Sequence, residues 1–312
     1  MILSGTVTKS VGGLFTVSLD TDYNGKGCID AYAKGAFKHE KMTLLAGDRV
    51  EVDVNENGEP YIAKILARKN WLIRPPLANL DILFVVISCV KPSPVLETID
   101  KLICIAESKG IEPVIVITKS DLDKSFAAET AQIYQKSGFE VFITSSEDGE
   151  GCPELLEYIK TVSMAKNAIF AFSGASGAGK STFINKIFPT LMLETGALSS
   201  KLERGKNTTR KTELFALSEL VGEGAQGYLA DTPGFTLLDF ERFDFFELDS
   251  LFDTFREFSD SVGKCKYTKC SHTKEDGCDI IARVKSGEIP ASRHASYVSL
   301  YNILKNKPKW KK

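Results

Sequence analysis

The sequence predicts a multidomain α/β chain: an N-terminal OB-fold β-barrel, a central doubly wound α/β domain and a short α-helical C-terminal domain. Three observations predict it. Short strand-like runs punctuated by glycine turns occupy the first 66 residues. From Ile82 onward, continuous apolar runs alternate with helical spacing. Past Asp249 the pattern turns helical and then irregular around three closely spaced cysteines.

The first region carries five strand candidates: Ile2–Val7, Phe15–Leu19, Cys28–Ala33, Arg49–Val54 and Tyr61–Leu66. Gly12-Gly13, Asn24-Gly25 and Asn57-Gly58 supply the turns. Five short strands suit an OB-type barrel, and the same pattern also fits a fragment of a β-sandwich. Arg68–Asn79, with Pro75-Pro76, breaks the periodicity and reads as a linker. Apolar runs at Ile82–Ile87, Val114–Ile117 and Val141–Ile143 then alternate with helical spacing over Leu96–Lys109 and Ser125–Ser137. Strands buried on both faces and separated by helices predict a parallel, doubly wound sheet. The alternation continues through Ile169–Phe172, a helix after Gly179, and Gly227–Ala230. A helix over Ser292–Lys305 precedes the end of the chain.

The chain has 312 residues, enough for two or three domains. Its net charge of -2 gives no global attraction to nucleic acid, so any such binding needs a local patch. The longest apolar run, Ile82–Val90, falls short of a membrane span, and Met1–Gly5 lacks the pattern of a signal peptide. A cytoplasmic protein is expected. In that reducing compartment, clustered cysteines read as metal ligands before disulfides.

Gly174-Ala175-Ser176-Gly177-Ala178-Gly179-Lys180-Ser181 fits the phosphate-loop pattern G-x-x-x-x-G-K-[ST], between an apolar strand and a helix that starts with Ser181-Thr182. Glycines let backbone N–H groups close around phosphate at a helix N-terminus. Lys180 would reach the terminal phosphates, and the Ser181 hydroxyl would ligate Mg2+. Asp231-Thr232-Pro233-Gly234 follows a strand, so Asp231 is placed to hold Mg2+ and the Gly234 N–H to meet the γ-phosphate. Between them, Arg204–Arg210 sits where a first switch belongs. It reads as a solvated loop on composition alone, and by its position as one in which Thr208 or Thr209 completes the magnesium shell.

Thr118-Lys119-Ser120-Asp121 follows the strand Val114–Ile117. Asp121 can accept from the N1–H and exocyclic amine of guanine, a donor pair adenine lacks. The usual motif is N-K-x-D, and Thr118 replaces its asparagine, which predicts weaker bracing of the site. Thr144-Ser145-Ser146 fits the second base-contacting loop. These base elements normally follow the phosphate loop and here precede it, so the order is circularly permuted. Near the C-terminus, Cys265-x4-Cys270-x-His272-x5-Cys278 groups three thiolates and an imidazole, the donor set of a closed tetrahedral Zn2+ site.

On these residues the chain resembles the circularly permuted RsgA (YjeQ/YloQ) family of ribosome-associated GTPases. The likeness runs from Gly47-Asp48-Arg49-Val50 through Arg74-Pro75 and the permuted motifs to Ser286–Ile289 and Arg293-His294-Ala295-Ser296-Tyr297. It implies an OB-fold RNA-binding domain over residues 1–68, a circularly permuted P-loop GTPase domain over 69–240 and a zinc-binding domain over 241–312. It also implies GTP hydrolysis to GDP during late maturation of the small (30S) ribosomal subunit, stimulated by that subunit and its rRNA. A monomer that does not engage membranes is expected. The lysine-rich tail from Lys305 and the basic stretch Lys201–Lys211 are possible RNA contacts, and the tail equally fits a solvated end. Two departures bear on catalysis. Phe235 stands where Ras-like enzymes carry a water-orienting glutamine, and Asn207 stands where the family commonly has histidine. With Lys180, Asn207, Thr208 and Thr209 as the catalytic candidates, hydrolysis rests on positioning and charge. The other reading is a GTP-gated RNA-binding module with vestigial hydrolysis.

Overall fold

The structure, a computed structural model, describes residues 1–33, 43–72, 75–91, 93–191, 212–231 and 247–307. Strands β1 (Ile2–Val11), β2 (Leu14–Tyr23), β3 (Lys26–Ala33), β4 (Arg49–Val54) and β5 (Pro60–Ile65) close a barrel in the order β1-β2-β3-β5-β4. β4 returns to pair antiparallel with β1, and β3 meets β5 in parallel. Alternating residues fill the interior: Val50, Val52 and Val54 of β4 point inward with Leu3, Val7, Val17 and Ile62. Closure decides for the barrel over the sandwich fragment. A register shift between Val7 and Lys9 bends β1.

The described residues of the segment read as a linker are paired and packed. They form a short antiparallel ladder, β6 (Trp71–Leu72) with β7 (Leu77–Ala78), and Leu77, Ala78 and Leu80 are fully buried. Asn79, in a left-handed conformation, donates to Gly47 O at 2.8 Å and accepts from Lys69 N at 2.9 Å. Arg68 pairs with the buried Asp48 carboxylate at 2.6 Å. Two-residue strands are too short to show a period, so the prolines dominated the reading. Gly47 has φ +87°, and a Cβ there would lie 2.1 Å from Ala78 O.

Six further strands, β8 (Ile82–Ser88), β9 (Glu112–Thr118), β10 (Glu140–Ile143), β11 (Ala168–Gly174), β12 (Glu213–Ala216) and β13 (Gly227–Asp231), form a sheet in the order β10-β9-β8-β11-β13-β12. β10 with β9 and β11 with β13 are parallel, as expected for strands buried on both faces. Every residue of β8 is buried. The edge strand β12 runs antiparallel to β13, which the apolar runs did not reveal because only Leu214 of its four residues is buried. The α-helices among the described residues are α1 (Leu96–Ser108), α2 (Lys124–Lys136), α3 (Cys152–Ala165), α4 (Lys180–Ile187), α5 (Leu217–Val221), α6 (Asp279–Lys285) and α7 (Ala291–Asn306).

The chain forms two compact units: Met1–Ile82, Glu157–Phe172 and Glu194–Phe235 in one, and Leu83–Leu156, Ser173–Leu193 and Thr236–Lys312 in the other. In the second unit the stretch from Asp249, expected to be plainly helical, is a series of 3₁₀ turns at Leu248–Ser250, Phe252–Thr254 and Arg256–Ser261. Phe252, Phe255 and Phe258 recur every third residue, the repeat of a 3₁₀ turn. Their rings pack together, with Phe255 and Phe258 stacked at 5.1 Å.

Gly47→Ala is expected to cost about 2 kcal/mol or more, from the left-handed backbone and the clash with Ala78 O. Thermal denaturation followed by circular dichroism checks it. An unchanged first transition would show that the Gly47 contact does not constrain the barrel.

Candidate nucleotide and metal sites

The phosphate loop and the base motif leave the ends of the buried strands β11 and β9, and the second base loop follows β10, a half-exposed strand at the edge of the sheet. At the end of β11, Gly174 lies against β8, where a Cβ would come within 2.5 Å of Val86 O. Gly177 and Gly179 take left-handed values, φ +81° and +85°. Gly179 caps α4 with no side-chain hydrogen bond. The first-turn N–H groups, with Ser181 half-buried and Thr182 exposed beside them, carry the partial positive charge that phosphate seeks. The Lys180 ammonium donates to Gly174 O at 2.7 Å and Ala175 O at 2.9 Å, folded over the loop it belongs to. Burial lowers its pKa.

The base motif grips that loop. Thr118 ends β9 almost fully buried, and its hydroxyl donates to Ala178 O at 2.9 Å. The Lys119 ammonium donates to Gly177 O at 3.2 Å and Lys91 O at 2.9 Å, and its stem passes beside Gly179. Lys119 is left-handed (φ 60°, ψ 37°) and turns the chain into the 3₁₀ turn Ser120–Leu122, which carries the half-buried Asp121. Nearby, burial and the carboxylates of Asp123 and Asp121 push the Cys89 thiol up to about 11. Thr118 thus links the base motif to the phosphate loop through a single hydroxyl.

After β10, Ser145 is fully buried and its hydroxyl accepts from Glu147 N at 3.2 Å and Asp148 N at 3.4 Å. It shapes its own loop, while Ser146 stays half-buried. Ser120 N donates to Thr144 O at 3.2 Å, which brings this loop to the base motif. In the other unit, Asp231 ends β13, half-buried. Asn207, Thr208, Thr209, Gly234, Phe235, Arg74, the stretch Lys201–Lys211 and residues 308–312 lie outside the described residues.

The C-terminal part of the second unit brings Cys265, Cys270, His272 and Cys278 together, with ligand atoms all within 4.8 Å of one another. Cys265 Sγ lies 3.9 Å from Cys278 Sγ, and His272 Nδ1 is 3.5 Å from each of these sulfurs. With metal bonds of about 2.3 Å to sulfur and about 2.0 Å to nitrogen, a tetrahedron has edges of about 3.8 Å and about 3.5 Å. The separations among Cys265, His272 and Cys278 match these edges, and Cys270 completes a set of four donors. Burial and the neighbouring thiols push Cys270 up to about 12, a cost that a bound cation would offset. Glu275 shapes the ligand loop by accepting from Ser271 N at 2.9 Å and from Thr273 N and Lys274 N at 3.1 Å.

The Arg293–Tyr297 run, noted only as part of a resemblance, holds this region together. Arg293 is fully buried. It donates to Asp100 of α1 at 2.7 Å and to both Glu257 oxygens at 2.7 and 3.2 Å. Its guanidinium lies 4.6 Å from the Phe255 ring, and Tyr134 donates to the same Asp100 oxygen at 3.1 Å. One turn on, Tyr297 donates to Ser271 O at 3.2 Å, and His294 Nε2 lies 2.8 Å from His272 O. Helix α7 therefore joins α1 to the metal loop. Sequence reasoning missed Asp100 and Glu257, which carry no local signature.

A Walker loop, a guanine motif that precedes it and an OB barrel before both define a circularly permuted P-loop GTPase. The RsgA GTPase family model matches residues 65–241, and the RsgA N-terminal domain model matches residues 4–62. The chain belongs to the RsgA GTPase family. It is 36% identical over 308 residues to the small ribosomal subunit biogenesis GTPase RsgA of Caldanaerobacter subterraneus subsp. tengcongensis, covering 98% of this chain and 97% of that one. It is also 36% identical to the protein of that name from Enterococcus faecalis, covering 99% and 98%. The crystal structure of YjeQ from Thermotoga maritima matches with a TM-score of 0.80 at 30% identity, covering 99% of this chain and 100% of that one. YloQ, described as a circularly permuted GTPase, matches with a TM-score of 0.77 at 29% identity, covering 99% and 98%.

Removing Arg293 leaves Asp100 and Glu257 buried without their cation. Arg293→Ala is expected to destabilise this unit by about 3–5 kcal/mol. Urea denaturation checks it, and a loss under about 1 kcal/mol would show that the cluster is not what holds α7 to α1.

Proposed function

We propose that this chain is a GTPase that binds the small (30S) ribosomal subunit and its rRNA, assists late maturation of that subunit, and hydrolyses GTP to GDP and phosphate faster when bound to it. The observation that carries the nucleotide reading is the base motif held against the phosphate loop, with Asp121 beside it. The subunit enters through the relatives, whose printed name is small ribosomal subunit biogenesis GTPase RsgA.

In this reading Gly174–Thr182 cradle the phosphates and the Lys180 ammonium exchanges its loop carbonyls for phosphate oxygens. Thr118–Asp121 with Ser145 and Ser146 form the guanine side. Ser181, Asp231 and one of Thr208 and Thr209 are hard oxygen donors suited to Mg2+, which would neutralise charge on the phosphates. Gly234 would meet the γ-phosphate. Cys265, Cys270, His272 and Cys278 hold one structural Zn2+; three thiolates and an imidazole at tetrahedral spacing favour zinc over the oxygen-seeking cations. The functional domains are residues 1–68, with an OB surface suited to RNA, 69–240 and 241–312. The protein works in the cytoplasm as a monomer. No described helix is long and apolar enough to cross a membrane. Asn207 and Phe235 favour slow intrinsic turnover, since an amide cannot take up a proton and phenylalanine cannot hold water. The same two residues favour the second reading, a GTP-gated RNA-binding module with vestigial hydrolysis.

Base selection tests the guanine site. Wild-type protein is expected to bind GTP over ATP, and Asp121→Asn to prefer xanthosine over guanosine triphosphate. The new amide can donate to the xanthine 2-oxo group but meets the guanine amine donor to donor. An unchanged preference in the variant, measured by calorimetry, places guanine recognition elsewhere. For the partner, co-sedimentation with 30S particles should be stronger with a non-hydrolysable GTP analogue than with GDP. Equal or absent pelleting contradicts a GTP-gated subunit interaction.

Metal analysis of purified protein should find about one zinc per chain, lost in Cys270→Ser together with the thermal stability of the C-terminal region. Wild-type protein free of zinc would remove that assignment.

A further inference from the structure

Several donors around the guanine side of the site are already committed. The Thr118 hydroxyl has one hydrogen, which faces Ala178 O at 2.9 Å with Ile87 O farther off at 3.4 Å, and the residue is 1% exposed. The Lys119 ammonium is held by Gly177 O and Lys91 O. Ser120 N donates to Thr144 O at 3.2 Å, and Ser145 N donates to Glu150 O at 3.0 Å. Ser145 itself is fully buried. Asp121 offers acceptors only, and these suit the N1–H and amine of guanine's Watson–Crick edge. The opposite edge of a purine presents N7, an acceptor, which needs a donor.

Asparagine at position 118 would carry two amide donors, one of which could serve the base while its carbonyl braced a loop. Threonine has one donor, and here it is spent on the phosphate loop. Resting on the guanine reading above, we infer that this protein recognises guanine at its Watson–Crick edge and leaves N7 unread, and that Thr118 is a positioning residue that locks the base loop to the phosphate loop. The specificity of the pocket then resides in Asp121, and Thr118 sets the affinity for every guanine nucleotide alike. A lost hydroxyl strands Ala178 O, 60 residues away in the chain, in a buried setting.

The experiment measures dissociation constants of the full-length protein for GDP, 7-deaza-GDP, IDP and ADP by competition. Wild-type protein should bind 7-deaza-GDP within about threefold of GDP, since no bond to N7 is lost, and IDP about tenfold or more weaker, since one bond to Asp121 is lost. Thr118→Val, close in shape, should weaken GDP and 7-deaza-GDP by the same factor, about tenfold, and leave the ratio of GDP to IDP unchanged. Thr118→Ser, which keeps the hydroxyl, should return to within about threefold of wild type. A loss of about tenfold or more for 7-deaza-GDP in the wild-type protein overturns the inference, as does a Val variant that binds GDP like wild type. If GDP binds no tighter than ADP, the guanine reading itself fails, a result distinct from any N7 effect. Thermal melting confirms that the variants fold, and the wild-type comparison stands without them.

Discussion

Two backbone carbonyls of the phosphate loop, Gly177 O and Ala178 O, are held by side chains from a loop 58 and 60 residues earlier in the chain. The nucleotide reading depends on this contact. A phosphate loop alone binds many anions, and a carboxylate at a strand end alone binds little; together at fixed spacing they measure out a guanosine phosphate. The contact also makes the permutation tolerable. Strands β8, β9 and β11 need to be neighbours in the sheet, and which comes first along the chain does not alter their hydrogen bonds. Gly174 follows from the same constraint, since a side chain there would press on Val86 O, and Gly179 takes a left-handed backbone (φ +85°) that favours glycine.

A second constraint governs the C-terminal part of this unit. Its 3₁₀ turns and loops offer little regular hydrogen bonding, so a buried guanidinium and packed aromatic rings supply the order beside the cysteine–histidine cluster. Arg293 satisfies two carboxylates from different elements, and a buried charge of this kind is tolerated only because both are present. Tyr297 and His294 on the same helix hold carbonyls of the metal loop. A displacement of α1 would thus be felt at the metal loop through one helix.

The long elements were legible because their patterns are local. The alternation in β4 and the unbroken apolar run of β8 each identify a strand from its own residues, and the phosphate loop declares itself through glycine and lysine spacing. Cys265, Cys270, His272 and Cys278 were legible because ligand chemistry tolerates few alternatives. What escaped has no local pattern. β6 and β7 are two residues long, β12 is a partly buried edge, and α3 starts at a cysteine followed by proline. Asp100 and Glu257 read as ordinary charges until Arg293 arrives from another part of the chain. The partner of Thr118 escaped for the same reason: the sequence shows a missing amide, and only the fold brings Ala178 O within reach of the hydroxyl.

The proposed guanine pocket would select which nucleotide binds; it would not by itself set how fast the nucleotide is cleaved. Phe235 and Asn207 remove the side chains that would orient water or accept its proton, so the account assigns the missing positioning to the ribosomal subunit. The direct measurement is the single-turnover GTP hydrolysis rate of the full-length protein against rising 30S concentration. The account predicts a slow rate alone that climbs and saturates as subunits are added. A fast rate in the free protein that subunits leave unchanged would contradict it.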